Sequence, residues 1–168
     1  MHIHKHGQIR ITKLDFLKGK FDVIWCEGVI DSLGFEKSLK YWSEFLKENG
    51  YMAVTSPSWL TDDRPAEAVN FWSAEGCELD SVHGNTEVMR KCGYDVIATF
   101  TLPEKCWTEG YYIPRSLAEK AVAEKYGDNE IVREYIASSK HEIDLYSEHN
   151  RRYGYVFYVG RKAARNEQ

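Results

Sequence analysis

Apolar positions along the chain change period several times, and the changes divide it into strands and helices. Residues Phe21 to Cys26 (FDVIWC) form a near-continuous apolar run, the pattern of a parallel strand buried on both faces. The run stops at Cys26-Glu27-Gly28, and Asp31-Ser32 and Gly34 mark the entry to a helix. Phe35, Leu39, Trp42 and Leu46 follow at steps of four, three and four, one stripe of an amphipathic helix. Asn49-Gly50 reads as its left-handed cap. Residues 51–55 are a second buried strand, so residues 21–55 make one βαβ unit. Ahead of it, Ile9, Ile11 and Leu14 alternate weakly and predict a short edge strand over residues 8–14.

Beyond Ser56 the pattern is less regular. Asp62 or Asp63 is expected to cap a helix with Pro65 in its first turn, where a missing N–H costs nothing, and that helix runs to about Glu75. Val82, Val88, Met89 and Cys92 predict another, closed by Gly93. Residues 94–102 are a third strand ended by Pro103, and residues 104–112 read as a loop. Helices are predicted over residues 114–126 and 130–149, broken at Gly127-Asp128-Asn129. Residues 153–159, rich in strong β formers, are the last strand. This order is that of the second half of a doubly wound α/β sheet with helical insertions. Residues 1–20 then form an N-terminal remnant, 21–162 the half-domain and 163–168 a tail.

Composition narrows the function. The length of 168 residues suits one domain or part of a larger one, and 43% hydrophobic with 29% charged residues is ordinary for a globular protein. A net charge of −4 offers no basic face for nucleic acid. Cys26, Cys77, Cys92 and Cys106 form no CxxC pair, so free thiols in a reducing cytoplasm are expected rather than a zinc site or disulfide scaffold. There is no apolar run long enough to span a membrane and no signal-peptide core. His2, His4 and His6 alternate and would share one strand face, but no fixed second ligand group follows them. No metal site is expected.

Ligands of open α/β sheets sit at the carboxyl ends of the strands, which points to Cys26, Glu27, Gly28 and Ile30. Trp59, Trp107, Tyr111 and Tyr112 fall on predicted loops after strands and are expected to wall a substrate pocket. Cys26 has no histidine near it in sequence to activate a thiolate, so a nucleophilic role is not expected.

Two motifs carry a resemblance. Phe21-Asp22-Val23-Ile24 and, after the helix, Leu46-Lys47-Glu48-Asn49-Gly50-Tyr51-Met52-Ala53-Val54 resemble the central part of a class I S-adenosylmethionine-dependent methyltransferase, a Rossmann-like fold. In that family an F-D-x-[IV] strand is followed by a helix and by L-K-x-G-G-x-[LM]-x-[IV]; here Asn49 replaces the first glycine. The later segments SPSWLTDDRPAE and LPEKCWTEGYY resemble a small-molecule subgroup. The resemblance implies S-adenosylmethionine as cofactor, bound by Cys26, Glu27, Gly28 and Ile30, and methyl transfer to a small molecule. It also implies that Glu27 lies where the methyl group is presented, where a carboxylate orients the acceptor or takes its proton.

The family's glycine-rich cofactor loop has no counterpart, since no G-x-G occurs in the sequence, and the twenty residues before Phe21 are too few for two βα units. The chain is therefore expected to be the carboxyl-terminal half of the domain, completed by a homodimer or by a complementing N-terminal chain. Uncovering about 400 Å² of apolar surface forfeits roughly 10 kcal/mol, comparable with a typical domain stability of about 5–15 kcal/mol. Two other readings stay open: a catalytically inactive remnant serving as an interaction module, and a nicotinamide enzyme on a similar sheet, which the missing glycine fingerprint weakens.

Overall fold

The computed structural model describes residues 13–164. His2, His4 and His6 and most of the edge strand expected over residues 8–14 lie outside them; of that strand Lys13 makes a single bridge pair and Leu14 is irregular.

The elements run β1 (Phe21–Cys26), a short 3-10 turn (Ile30–Ser32), α1 (Phe35–Ser43), β2 (Leu46–Trp59), α2 (Ala66–Ala74), α3 (Val82–Lys91), β3 (Tyr94–Thr101), α4 (Glu104–Trp107), a π-helical turn (Thr108–Tyr112), α5 (Ile113–Tyr126), α6 (Glu130–His149) and β4 (Tyr153–Lys162). The described strands form one sheet in the order β1-β2-β4-β3. β1 and β2 are parallel, with Val23 opposite Tyr51 and Cys26 opposite Val54, as a βαβ unit requires. The α/β architecture and the element order agree with the sequence reading.

Three local expectations need correction. The first helix stops at Ser43, not at Asn49. Its last turn tightens as the Glu44 and Phe45 N–H groups donate to the Tyr41 and Trp42 carbonyls. The Phe45 carbonyl then accepts from Lys20 and Phe21 N–H at 2.9 and 3.0 Å, drawing Leu46 into the sheet. Asn49, at φ 62°, instead sits in a bulge of β2, where the pairing steps from Phe21–Leu46 to Val23–Tyr51. Second, Pro65 itself caps α2, with no side-chain hydrogen bond from Asp62 or Asp63. Third, residues 104–112 are helical rather than a loop. Pro103 supplies the extended residue before that helix, and α5 continues from it without a break.

The chain divides into two compact units, each described by itself: residues up to Ser56, Thr86–Ala98 and from Tyr158 onward form the first, and Pro57–Asn85 with Thr99–Phe157 the second. In the first, Ile30, Leu39, Met52, Val54 and Tyr158 are wholly buried. Gly160 lies so close to Met89 and Tyr94 that an added Cβ would meet both at 3.0 Å. In the second, Trp59, Ala68, Trp107, Tyr112, Leu145, Tyr146 and Tyr153 make a mostly aromatic core.

The apolar composition of β1 is not matched by burial. Val23 is 50% and Trp25 64% exposed, with Phe21 on the same side of the strand. Among the described strands β1 has one neighbour, β2, and is an edge.

Candidate functional site

The carboxyl end of β1 turns through Glu27 and Gly28 into the 3-10 turn. Gly28 has φ 65°, a left-handed conformation that costs glycine least. Its N–H donates to Thr55 Oγ1 at 2.8 Å. One residue further along β2, Ser56 Oγ donates to Asp31 Oδ1 at 2.7 Å. Ser38 of α1 donates to the Ile30 carbonyl at 3.1 Å, and the Ile30 side chain is fully buried. Two hydroxyls at the end of one parallel strand thus fix the loop leaving its neighbour.

Cys26, Glu27, Gly28 and Ile30 all belong to this strand end, but their side chains differ. Glu27 is exposed and accepts a bond from the Trp25 indole. The Cys26 thiol is pushed up by burial, and by the nearby Asp31 and Glu27 carboxylates, against a smaller opposing bond from the Val29 backbone. A raised thiol pKa disfavours the thiolate. Ile30 faces the core at 0% exposure, and its carbonyl accepts from Ser38 Oγ and from the Leu33 N–H. Asp31, read from sequence only as a helix-entry residue, is the group whose chemistry changes most. Burial raises its carboxyl to about 6, partly offset by the Ser56 bond. Thr55 and Ser56, read only as the end of a strand, are buried at 2% exposure and hold the loop. The signal available in the sequence was a hydroxyl pair directly after an aliphatic strand.

The predicted pocket aromatics lie in the second unit, and their placement on open loops is corrected. Trp59 ends β2 and packs edge-on to Tyr153. Trp107 stacks on Tyr146 at 4.4 Å and meets Tyr112, Tyr153 and Tyr155. With Tyr112 they are core residues at 3–4% exposure, because the segment expected to be a loop winds into helix and turns its rings inward. Tyr111 alone of the four is exposed. Arg115 lies over the Tyr111 and Tyr112 rings at 4.8 and 5.0 Å and pairs with Glu142 at 2.7 Å. Tyr112 also lines a cleft of ≈ 440 Å³ with Thr108, Ile113, Ser116, Leu117, Lys120 and Ile143.

No protein-family model matches the chain, and no curated protein matches it in sequence. Solved structures do match it. A methyltransferase from Geobacter sulfurreducens in complex with S-adenosyl-L-homocysteine is 19% identical, with a TM-score of 0.67 over 84% of this chain and 58% of its own. A methyltransferase from Thiobacillus denitrificans, in complex with the same molecule, is 22% identical, with a TM-score of 0.66 over 87% of this chain and 59% of its own. The fold is that of class I S-adenosylmethionine-dependent methyltransferases. The SpnF cyclase shares it at 14% identity, with a TM-score of 0.67 over 94% of this chain and 55% of its own. A cyclase on the same fold shows that architecture alone does not fix the reaction. The chain spans between 55% and 59% of the length of these three structures.

The methyltransferase fold puts Cys26 to Asp31 outside the carboxyl ends of parallel β1 and β2, the position at which this sheet type binds ligands. The donor set suits a sulfonium cofactor. The carboxyl groups of Glu27 and Asp31 complement its positive charge, and the neutral Cys26 thiol offers a non-competing surface.

Proposed function

We propose that the protein containing this chain transfers a methyl group from S-adenosylmethionine to a small molecule, with the loop Cys26 to Asp31 forming one wall of the transfer site. The observation that carries this reading is the strand-end loop itself: Gly28 and Asp31 pinned by Thr55 and Ser56, in a methyltransferase fold, with two carboxyl groups beside it. The bound cofactor supplies an electrophilic methyl carbon on a cationic sulfur. The residues of this chain then orient and exclude. The exposed backbone at Gly28 positions the donor, and the loop's two ties to β2 hold that position fixed, which is what in-line displacement requires. The exposed Glu27 carboxylate orients the acceptor and takes up the proton it releases when the nucleophile is an oxygen or nitrogen. Within the second unit, Trp59, Trp107 and Tyr112 shape the apolar interior and Tyr111 lies exposed at its surface.

The place of β1 at the edge of the described strands supports a partner strand, either from a second copy or from a complementing N-terminal chain. It equally favours a second reading, an interaction module without catalysis. The four cysteines are free, which supports a reducing cytoplasm, and no helix among the described residues is long and apolar enough to cross a membrane.

Calorimetry with S-adenosylmethionine and S-adenosylhomocysteine tests the proposal. Binding by this chain, or by this chain with an added upstream polypeptide, supports a transferase whose site includes the loop. Absence of binding in both arrangements removes the methyltransferase reading and leaves the module.

A further inference from the structure

We propose that Glu67, Glu148 and His149 bind a divalent first-row transition ion of the Zn2+ class, joining the first turn of α2 to the last turn of α6. Glu67 is far in sequence from the adjacent Glu148 and His149, yet one donor atom of each lies within 4.8 Å of the other two. Two donors on one ion are at most about 4.2 Å apart, twice a metal–ligand bond of about 2.1 Å. Both glutamates are exposed, so rotation of their side chains closes that gap.

Acidic clusters on a surface are common without an ion, and here the histidine makes the difference. His149 is 8% exposed, and its Nδ1 is buried with no hydrogen-bond partner. Buried polar atoms are nearly always paired, so an orphaned nitrogen on a ring that lies beside two carboxylates requires an explanation. Among the described residues neither glutamate makes an ion pair with the ring. An ion placed among the three donors uses one ring nitrogen as a lone-pair ligand and fixes the other as N–H, the state in which imidazole ligates metals. The carboxyl end of the α6 dipole adds a field that favours a cation.

One imidazole with two carboxylates selects Zn2+, Co2+ or Ni2+ over Mg2+ and Ca2+, which prefer all-oxygen shells. With three protein ligands the remaining position is open to water. Ala68 of α2 and Leu145 and Tyr146 of α6 share the aromatic core beneath, so the ion clamps two elements of one packed unit. The proposal does not rest on methyl transfer.

The test uses the full chain with His2, His4 and His6 replaced by alanine, which removes the alternating histidines as a competing site. Zn2+ is titrated by calorimetry, Co2+ by its visible absorption, and thermal melts are recorded with and without Zn2+. The expected result is one equivalent of either ion, visible Co2+ bands, and a higher melting temperature with Zn2+. All three should be lost from Glu67→Gln and Glu148→Gln, with the metal-free melt unchanged, because both side chains are exposed. His149→Asn probes the same site, but the buried ring makes it a folding risk, so the glutamine variants decide. No one-to-one binding in the triple-alanine chain, or binding retained in either glutamine variant, overturns the proposal.

Discussion

Asp31 holds its carboxyl at about 6, against an ordinary 3.8, because burial disfavours the charged form more than the Ser56 bond favours it. An unfolded chain loses this proton near 3.8, so between the two values the folded state binds a proton that the unfolded state has released. The stabilising contribution is complete below about pH 3.8 and is lost as pH rises through about 6. Asp31→Asn keeps an oxygen for Ser56 and removes the charge. It should stabilise the protein at pH 8 by on the order of 1–2 kcal/mol, and the gain should vanish toward pH 4. Urea denaturation at the two pH values checks both the sign and the window. At this scale the sequence located Cys26 to Ile30 from the end of an apolar run. It did not single out Asp31, Thr55 or Ser56. Their role depends on the register of β1 against β2, which sets Cys26 opposite Val54 and so brings the next two hydroxyls to the loop.

Helix and strand periods were legible wherever one face is buried; the errors fell where a tertiary contact decides an end. Asn49 is the clearest case. Its left-handed conformation was read correctly, but it belongs to a strand bulge, because the sheet captured Phe45 and Leu46 before the helix could continue. Asn49→Gly should be close to neutral, whereas Asn49→Val should cost about 1–2 kcal/mol, measured by chemical denaturation, since a β-branched residue strains at φ 62°. The α5–α6 pair is held by a buried ion network. Arg115, 12% exposed, pairs with Glu142 at 2.7 Å and with Glu119 at 3.4 Å, and Tyr112 donates to Glu142 at 3.1 Å. The Glu142 contacts also push the Tyr112 hydroxyl upward, after burial as the larger cause. Arg115→Ala strands two poorly solvated carboxylates and should destabilise the protein by about 3–5 kcal/mol. Glu142→Gln, which keeps an acceptor for Tyr112, should cost less in the same denaturation experiment.

At the scale of the molecule, β1 carries the composition of a central strand in the position of an edge. Val23 and Trp25 are exposed on a strand that, among the described strands, has β2 as its one neighbour, and an exposed apolar edge recruits another strand. The chain should therefore self-associate or take up a complementing polypeptide, and sedimentation should show a species larger than the monomer. Val23→Lys with Trp25→Lys should weaken that association more than about tenfold while leaving the far-ultraviolet spectrum of the fold intact. A cooperatively melting monomer, unchanged by these substitutions, would count against the open edge as an interface.

Local chemistry was enough to determine the βαβ unit, the α/β class, the strand-end position of Cys26 to Ile30 and the exact span of α6, because each follows from apolar period, glycine placement or capping within a short window. Tertiary structure alone decided the rest. It turned Trp59, Trp107 and Tyr112 from loop aromatics into core, since a ring's environment is set by what packs on it rather than by its neighbours in sequence. It half-buried the Asp31 carboxyl and set the Ser56 hydroxyl against it. It brought Glu67 to Glu148 and His149 across about eighty residues of chain, a proximity that no spacing rule encodes.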